Sequence, residues 1–133
     1  MKLVIIGSIP ADQSARLQPL IDADQRIIFV GWQPAVELIK YLAAANLYFQ
    51  PGTQSATMQN AICAGSPVAL YPYASHKPYL VENGFWVESY SDFIDVFKFI
   101  AASPESLKEM RRQSFRLAQS LLDYKILAAR LYV

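Results

Sequence analysis

Cysteine is almost missing from this sequence: Cys63 is the only one among 133 residues. A disulfide bond within the chain is therefore excluded, and we expect Cys63 to behave as a small buried hydrophobic side chain. The chain also has no excess of charge of one sign, because it contains 12 basic and 11 acidic residues. The one basic cluster comprises Arg111, Arg112 and Arg116. This balance argues against a nucleic-acid partner. We also predict no metal site.

The sequence also lacks long apolar runs, internal repeats and a leader of basic and then apolar residues. Hydrophobic residues make up 53% of the chain and charged residues 17%, which is too apolar for disorder and too interrupted by charge for a transmembrane segment. The chain begins with a strand-like run, so we predict a cytoplasmic location, with membrane association of a longer protein left open. Its length suits one domain with one hydrophobic core.

Short apolar runs alternate with segments of helical spacing, which is typical of α/β proteins. Strands are predicted at Lys2–Ile6, Arg26–Val30, Leu47–Gln50, Pro67–Tyr71 and Phe85–Val87. The first is a β-branched run, and we expect it to be buried on both faces of a parallel sheet. The pattern predicts a Rossmann-like three-layer α/β/α domain with a parallel sheet of about five strands.

Helices are predicted between and after these strands. They cover Ala11–Ile21, a segment with Pro34 in its first turn, a segment that begins near Thr53, a segment capped by Ser91 and Asp92, and a segment that begins at Ser103–Glu105. The periodicity of the last one continues to Leu131, and residues 119–133 are predicted to form a long apolar final helix. Its leucines are expected to be partly exposed, which allows a homodimer through this apolar surface.

In a doubly wound sheet, ligands bind outside the carboxyl ends of the strands. Four loops therefore become candidates: Gly7–Pro10, Gly31–Pro34, Pro51–Ser55 and Pro72–Pro78. The third is rich in small and hydroxyl-bearing residues, and the helix after it offers free N–H groups to an anion.

A helix that starts near Thr53 places Thr53, Thr57 and Asn60 on one face, with Met58, Ala61 and Ile62 packed inward. In this interpretation, Gly52 lets the backbone approach a phosphate closely. The alternative is that Thr53 or Ser55 only caps the helix, with no ligand present.

One ordered set of segments carries a family resemblance. Pro51–Gly52 ends the third strand region, Asn60–Val68 reads NAICAGSPV, and Val81–Val87 reads VENGFWV. This order resembles the donor-binding half of GT-B type glycosyltransferases, in particular the retaining glycosyl transferases group 1. The resemblance covers nearly the whole chain. It implies that residues 1–133 are the C-terminal Rossmann-like domain of a longer enzyme, with the last helix packed on an N-terminal acceptor-binding half.

What the resemblance implies about function is transfer of a sugar from a nucleoside-diphosphate sugar to an unknown acceptor, as in polysaccharide biosynthesis, with no further cofactor and with this fragment inactive alone. The base is expected near Gly31, Trp32 and Gln33, the ribose near Asn60, and the diphosphate near Gly52–Thr57. The implied binding residues are Gly7, Ser8, Gly31, Trp32, Gln33, Gly52, Thr53, Gln54, Ser55, Thr57 and Asn60. Trp32 either stacks on the base or is a partly buried aromatic at a strand end.

The sequence departs from the family pattern at three places. The family's two glutamates are absent, with Asn60 at the second position, and so is its basic pair. Catalytic residues are therefore unassigned, and a non-catalytic nucleotide-binding or protein-interaction domain stays open. His76 and Lys77 are either cations for a leaving diphosphate or a solvated loop pair. A receiver domain is a weaker reading, because Gln50–Pro51 stands where a receiver needs an acidic residue.

Overall fold

The computed structural model describes residues 1–52 and 55–131. Strands and helices alternate along these residues, and the α/β prediction is confirmed. The elements are β1 (Leu3–Ile6), α1 (Ala11–Asp22), β2 (Ile27–Gly31), α2 (Ala35–Ala44), β3 (Tyr48–Gln50), α3 (Thr57–Cys63), β4 (Val68–Leu70), β5 (Gly84–Trp86), α4 (Tyr90–Ala102), α5 (Ser106–Leu117) and α6 (Tyr124–Leu131). A 3₁₀ turn, Ala74–Tyr79, lies between β4 and β5, and a π-helical turn, Ala118–Leu122, follows α5.

The strands pair in parallel, but they form two sheets instead of the one predicted. β1 pairs with β2, while β3, β4 and β5 form a second sheet in that order. The chain also divides into two compact units, an N-terminal unit (Met1–Leu38) and a C-terminal unit (Ile39–Val133). Sequence patterns identify strands from their own residues, whereas pairing depends on backbone hydrogen bonds between distant segments.

Local backbone chemistry shapes the N-terminal unit. Pro10 precedes α1 with φ −56°, and its carbonyl accepts hydrogen bonds from the N–H groups of Gln13 and Ser14. Proline suits this place because its φ is already helical and its missing N–H would have no partner. The expected burial of β1 is wrong: Leu3 is 48% exposed and Val4 41%. β1 is paired on one side only, so its β-branched run is not enclosed.

The C-terminal unit holds the core. All three residues of β4 are buried, because β3 and β5 flank this strand on both sides. Gly84 permits this packing, since a Cβ at that position would lie 1.8 Å from the carbonyl oxygen of Val68. Other fully buried apolar residues include Leu42, Met58, Ala61, Ile62, Val87 and Val96. The prediction that Met58, Ala61 and Ile62 pack inward is confirmed.

One face of β3 packs on α4. The ring of Phe49 lies 5.2 Å from that of Phe93 in an edge-to-face arrangement and 6.0 Å from that of Phe97. Because successive side chains of a strand point to opposite faces, Tyr48 and Gln50 project away from this aromatic cluster. The polar side chains of β3 are thereby placed on the face opposite α4.

A buried polar network joins four segments of the C-terminal unit. The hydroxyl of Ser114 donates to the carbonyl of Ser66 at 2.7 Å, and the Ser66 hydroxyl donates to the carbonyl of Leu42. Asn83 Nδ2 donates to Ser114 Oγ at 3.4 Å and to the Tyr79 carbonyl at 3.2 Å. The side chains of Ser66, Asn83 and Ser114 are fully buried. Their hydrogen bonds offset the cost of removing these groups from water.

Two helix ends differ from the prediction. The cap of α4 is Ser89 and not Ser91: Ser89 Oγ accepts from the Asp92 N–H, and the Asp92 carboxylate accepts from the Ser89 N–H. The long helix predicted over residues 119–133 is interrupted at Asp123, whose ψ of 126° is extended. Asp123 Oδ1 accepts from the Lys125 N–H at 2.7 Å and so begins a new helix, α6. Residues 132 and 133 lie outside the described residues.

Candidate functional site

The N-terminal unit brings two of the predicted site residues together. The Gly7 N–H donates to the Gly31 carbonyl at 3.0 Å, at the carboxyl ends of β1 and β2. Gly31 has φ +69°, a left-handed conformation that glycine adopts without strain. Gln33 Nε2 donates to the Val30 carbonyl at 2.7 Å, which makes this side chain a local brace. Ser8 is exposed.

Trp32 has the environment of a surface residue, with 74% of its area exposed. The alternative of a partly buried aromatic at a strand end is therefore wrong. Stacking on a base stays a prediction, and the exposed ring is accessible for it.

The loop after β3 holds most of the other predicted site residues. Gly52 is exposed, and Ser55 and Thr57 are half-buried. The predicted site residues Thr53 and Gln54 lie outside the described residues. Ser55 Oγ accepts from the Thr57 N–H at 3.1 Å. A short-range bond from backbone to side chain such as this one is what the alternative interpretation predicted, in which Ser55 caps the helix.

The predicted start of α3 is wrong. The helix begins at Thr57, and the carbonyl of Ser55 accepts from the Met58 N–H. The side chain of Ser55 accepts a hydrogen bond from the backbone two residues later, so Ser55 belongs to the turn before the helix and not to the helix itself. Of the predicted shared face, Thr57 and Asn60 lie on α3 three residues apart, whereas Thr53 lies outside the described residues. Asn60 is exposed.

Tyr48 and Gln50 add a polar cluster to this loop. The Tyr48 hydroxyl donates to Gln50 Oε1 and also interacts with the Ser55 side chain. Burial raises the pKa of Tyr48 to about 12, while the Ser55 hydrogen bond acts to lower it. The phenol is therefore protonated at neutral pH and acts as a hydrogen-bond donor. Sequence reasoning missed both residues, although their i, i+2 spacing in a short strand predicts a shared face.

The loop after β4 is joined to the loop after β3. The Tyr73 hydroxyl donates to the Gly52 carbonyl at 2.9 Å, and Gln59 Nε2 of α3 donates to the Tyr79 hydroxyl at 3.1 Å. His76 is 2% exposed and Lys77 is exposed. The interpretation of His76 and Lys77 as a solvated pair is wrong for His76, which is buried within the 3₁₀ turn.

Other features of the described residues lie apart from these loops. A cavity of about 390 Å³ lies beside β5 and α4, and a second of about 290 Å³ is lined by residues such as Asn83 and Arg116. Neither is lined by a predicted site residue. Cys63 is exposed, so its expected burial is wrong, and desolvation by neighbouring atoms raises the pKa of its thiol. A raised pKa argues against a nucleophilic role.

Residues 1–52 and 55–131 contain neither a membrane-spanning helix nor a cluster of metal-ligating side chains. None of the helices there is long and apolar enough to cross a membrane. These residues also contain no group of three or more histidine, cysteine, aspartate or glutamate side chains placed to hold a metal ion.

No protein-family model matches the chain, and no curated protein matches it either. Solved structures do. The pneumococcal O-GlcNAc transferase GtfA, in complex with UDP and GlcNAc, superposes with a TM-score of 0.78 at 20% identity, over 99% of this chain and 28% of that one.

Two structures of Alr3699/HepE from Anabaena are also similar. The complex with UDP gives a TM-score of 0.72 at 12% identity and covers all of this chain, and the complex with UDP-glucose gives 0.74 at 13% and covers 99%. In both, the match covers 41% of the HepE chain. This chain therefore spans well under half the length of the proteins that it resembles. The likeness shows the fold: this chain has a Rossmann-like α/β fold similar to part of GtfA and HepE, in agreement with the fold that the sequence predicted.

Proposed function

We propose that this chain is the donor-binding domain of a glycosyltransferase, which transfers a sugar from a nucleoside-diphosphate sugar to an acceptor. The fold supports this proposal, because the similar structures of GtfA and HepE contain UDP or UDP-glucose. Uridine diphosphate is therefore the nucleotide to test first. The donor sugar is a substrate, and the proposal needs no further cofactor.

The polar cluster at the end of β3 is the observation that carries the proposal. Tyr48, Gln50, Ser55 and Thr57 bring hydroxyl and amide groups to the carboxyl end of a parallel strand, next to the exposed Gly52. Ligands of α/β sheets bind at this end. Hydroxyl and backbone N–H groups bind phosphate oxygens, and we assign the diphosphate to this loop.

The remaining roles follow the family resemblance. Asn60 is exposed on α3, three residues from Thr57, and we assign it to the ribose hydroxyls. A neutral amide binds a hydroxyl less strongly than a carboxylate does. We assign the base to Gly31, Trp32 and Gln33, with the exposed Trp32 ring as the stacking surface.

We further propose that turnover requires more polypeptide than these residues, since the chain spans only 28–41% of the similar proteins. The proposed partner is an N-terminal acceptor-binding half of the same polypeptide. α6 suits such a contact, because Tyr124, Ile126, Leu127 and Leu131 are 36–81% exposed. In the isolated chain the same surface is available for a homodimer, which sedimentation over a range of concentrations would reveal.

A titration of the ¹⁵N-labelled chain with UDP, GDP, ADP and inorganic phosphate tests the proposal. We expect one diphosphate to shift the amide signals of Gly52, Ser55 and Thr57 at millimolar or better affinity. The signals of Gly31–Gln33 test the base assignment separately. If the amide signals do not move with any nucleotide, or move equally with all four ligands, the donor-binding proposal fails for this chain.

A non-catalytic nucleotide-binding or interaction domain is the second candidate, favoured by Asn60 at a position where the family carries a glutamate. The two candidates differ in what happens to the sugar. Incubation of a longer polypeptide containing this chain with UDP-glucose, followed by detection of free UDP, separates them. Release of UDP supports the transferase, and binding without release supports the second candidate.

A further inference from the structure

His76 is a buried histidine with a partly unsatisfied ring. Its Nδ1 lies 2.8 Å from the carbonyl oxygen of Tyr71, and since a carbonyl only accepts, Nδ1 carries the proton. Nε2 is buried and has no hydrogen-bond partner among the described residues. A buried nitrogen without a partner lowers stability. Stability alone therefore does not account for a histidine at this position.

The imidazole helps to hold the ring of Tyr73. The two rings meet edge to face, with centroids 5.3 Å apart and an interplanar angle of 83°. The ring of Tyr71 packs against the ring of Tyr73 as well, with the two centroids 4.7 Å apart. Because His76 binds the carbonyl of Tyr71 and also contacts Tyr73, it fixes one neighbour through the backbone and the other through its ring.

Tyr73 in turn reaches the loop after β3. Its hydroxyl donates to the carbonyl of Gly52 at 2.9 Å, across 21 positions of sequence. A planar peptide unit moves as one body, so holding this carbonyl fixes the orientation of the peptide to which it belongs. Apart from the chain neighbours of Gly52, none of the described residues places an atom within 4 Å of a Cβ built at this position. The hydroxyl of Tyr73 is therefore a distant contact that acts on the Gly52 backbone itself.

We propose that Tyr73 and His76 are positioning residues for the diphosphate loop: His76 orients Tyr73, and Tyr73 holds Gly52 in the conformation that binds the nucleotide. This inference rests on the proposed function. A loop that is already ordered loses less conformational entropy when the ligand binds. Neither side chain touches the reacting atoms, so their effect is on affinity for the nucleotide.

The first test compares Tyr73→Phe with Tyr79→Phe in the 133-residue chain. Each variant loses one hydroxyl hydrogen bond from the segment between β4 and β5, of 2.9 Å for Tyr73 and 3.1 Å for Tyr79, but only the first bond reaches Gly52. We expect Tyr73→Phe to weaken UDP binding about three- to tenfold, the range of one hydrogen bond. It should also shift the amide signal of Gly52 without ligand. Tyr79→Phe should keep the wild-type dissociation constant.

The second test uses His76→Asn and His76→Leu. Asparagine can place an N–H group near the position of Nδ1, whereas leucine keeps the apolar bulk and loses the donor. We expect His76→Leu to weaken UDP binding with little change in melting temperature, because loss of the hydrogen bond to the Tyr71 carbonyl is offset by removal of the unpartnered Nε2. His76→Asn should recover part of the affinity. A purely structural role predicts that affinity and melting temperature fall together.

The outcomes separate this inference from the proposed function. If the wild-type chain shows no UDP-dependent shifts, the proposed function fails and this inference fails with it. If the wild type binds UDP and Tyr73→Phe or His76→Leu binds it equally well, only the positioning inference is overturned.

Discussion

β1 and β4 have similar sequences and very different environments. β1 reads LVII and β4 reads VAL, and both are parallel strands followed by a loop. Leu3 and Val4 of β1 are 48% and 41% exposed, whereas Val68 and Leu70 of β4 are at most 1% exposed. β4 has a neighbour on both sides and β1 on one. Apolar, β-branched composition therefore predicts a strand, while its neighbours determine its burial.

The two units of the chain differ in the same way. No residue of the N-terminal unit, all of which the structure describes, is fully buried. The C-terminal unit contains the buried apolar residues and the Ser66–Asn83–Ser114 network. We infer that the C-terminal unit supplies most of the stability and that the N-terminal unit opens first.

Glycine substitutions should give the largest contrast between the units. Gly84→Ala places a methyl group 1.8 Å from the Val68 carbonyl, where the backbone of β4 cannot yield. We expect a loss of about 4 kcal/mol or more in the free energy of unfolding. Gly31→Ala meets no atom within 4 Å and carries only the strain of φ +69°, about 1–2 kcal/mol. Urea unfolding measures both, and equal losses would contradict the assignment of the core.

Leucine truncations test the same comparison within strands. Leu70→Ala removes a side chain that is 1% exposed and leaves a cavity, so we expect a loss of about 2–5 kcal/mol. Leu3→Ala removes one that is 48% exposed, and we expect about 1 kcal/mol or less. Chemical denaturation compares the two variants directly. A Leu3→Ala effect as large as that of Leu70→Ala would mean that β1 is buried in solution.

Loss of a buried serine hydroxyl should cost less stability than loss of a buried leucine side chain, but more than loss of an exposed serine hydroxyl. Ser114→Ala leaves the Ser66 carbonyl without its hydroxyl donor in the interior, and we expect a loss of about 1–3 kcal/mol. Ser120→Ala is the matched control: its exposed hydroxyl donates to the Leu117 carbonyl, and its loss should cost under about 0.5 kcal/mol. Thermal unfolding distinguishes them, and indistinguishable melting temperatures would remove the network from the account.

The smallest expected effect belongs to the surface of the N-terminal unit. Hydrogen bonds from the Arg26 side chain and backbone lower the pKa of Asp24 from 3.8 to about 2. The charged form is favoured in the folded state, so any stabilisation is present above pH 3.8 and is lost as the pH falls toward 2. A ¹³C titration of the Asp24 carboxyl should give this midpoint. In Arg26→Gln the midpoint of Asp24 should return toward 3.8. An unchanged midpoint would mean that the Arg26 side chain does not lower this pKa.

Local patterns account for much of the fold. The sequence predicted the order of strands and helices and the inward side of α3. It offered Ser55 only as an alternative cap of α3, and it did not predict that Asp123 divides the final helix; in both cases a side chain binds nearby backbone. Both residues are known helix-capping types, so their position was a usable signal.

The candidate site was only partly predictable, because its contacts are distant in sequence. Gly52, Ser55 and Thr57 follow from the loop pattern. Tyr73 reaches Gly52 across 21 positions, and no local pattern reveals such a contact. The burial of His76 was also hidden, since the ring of Tyr73 packs against this loop histidine only after folding.

A comparison of UDP with uridine tests whether the loop after β3 binds a diphosphate. We assign the diphosphate to the loop of Gly52, Ser55 and Thr57, so UDP should bind the chain at least tenfold more tightly than uridine. The amide signals of these residues should shift when UDP is added but not when uridine is added. Equal affinity for the two ligands, or shifts that leave this loop unmoved, would contradict the claim that the end of β3 binds a nucleoside diphosphate.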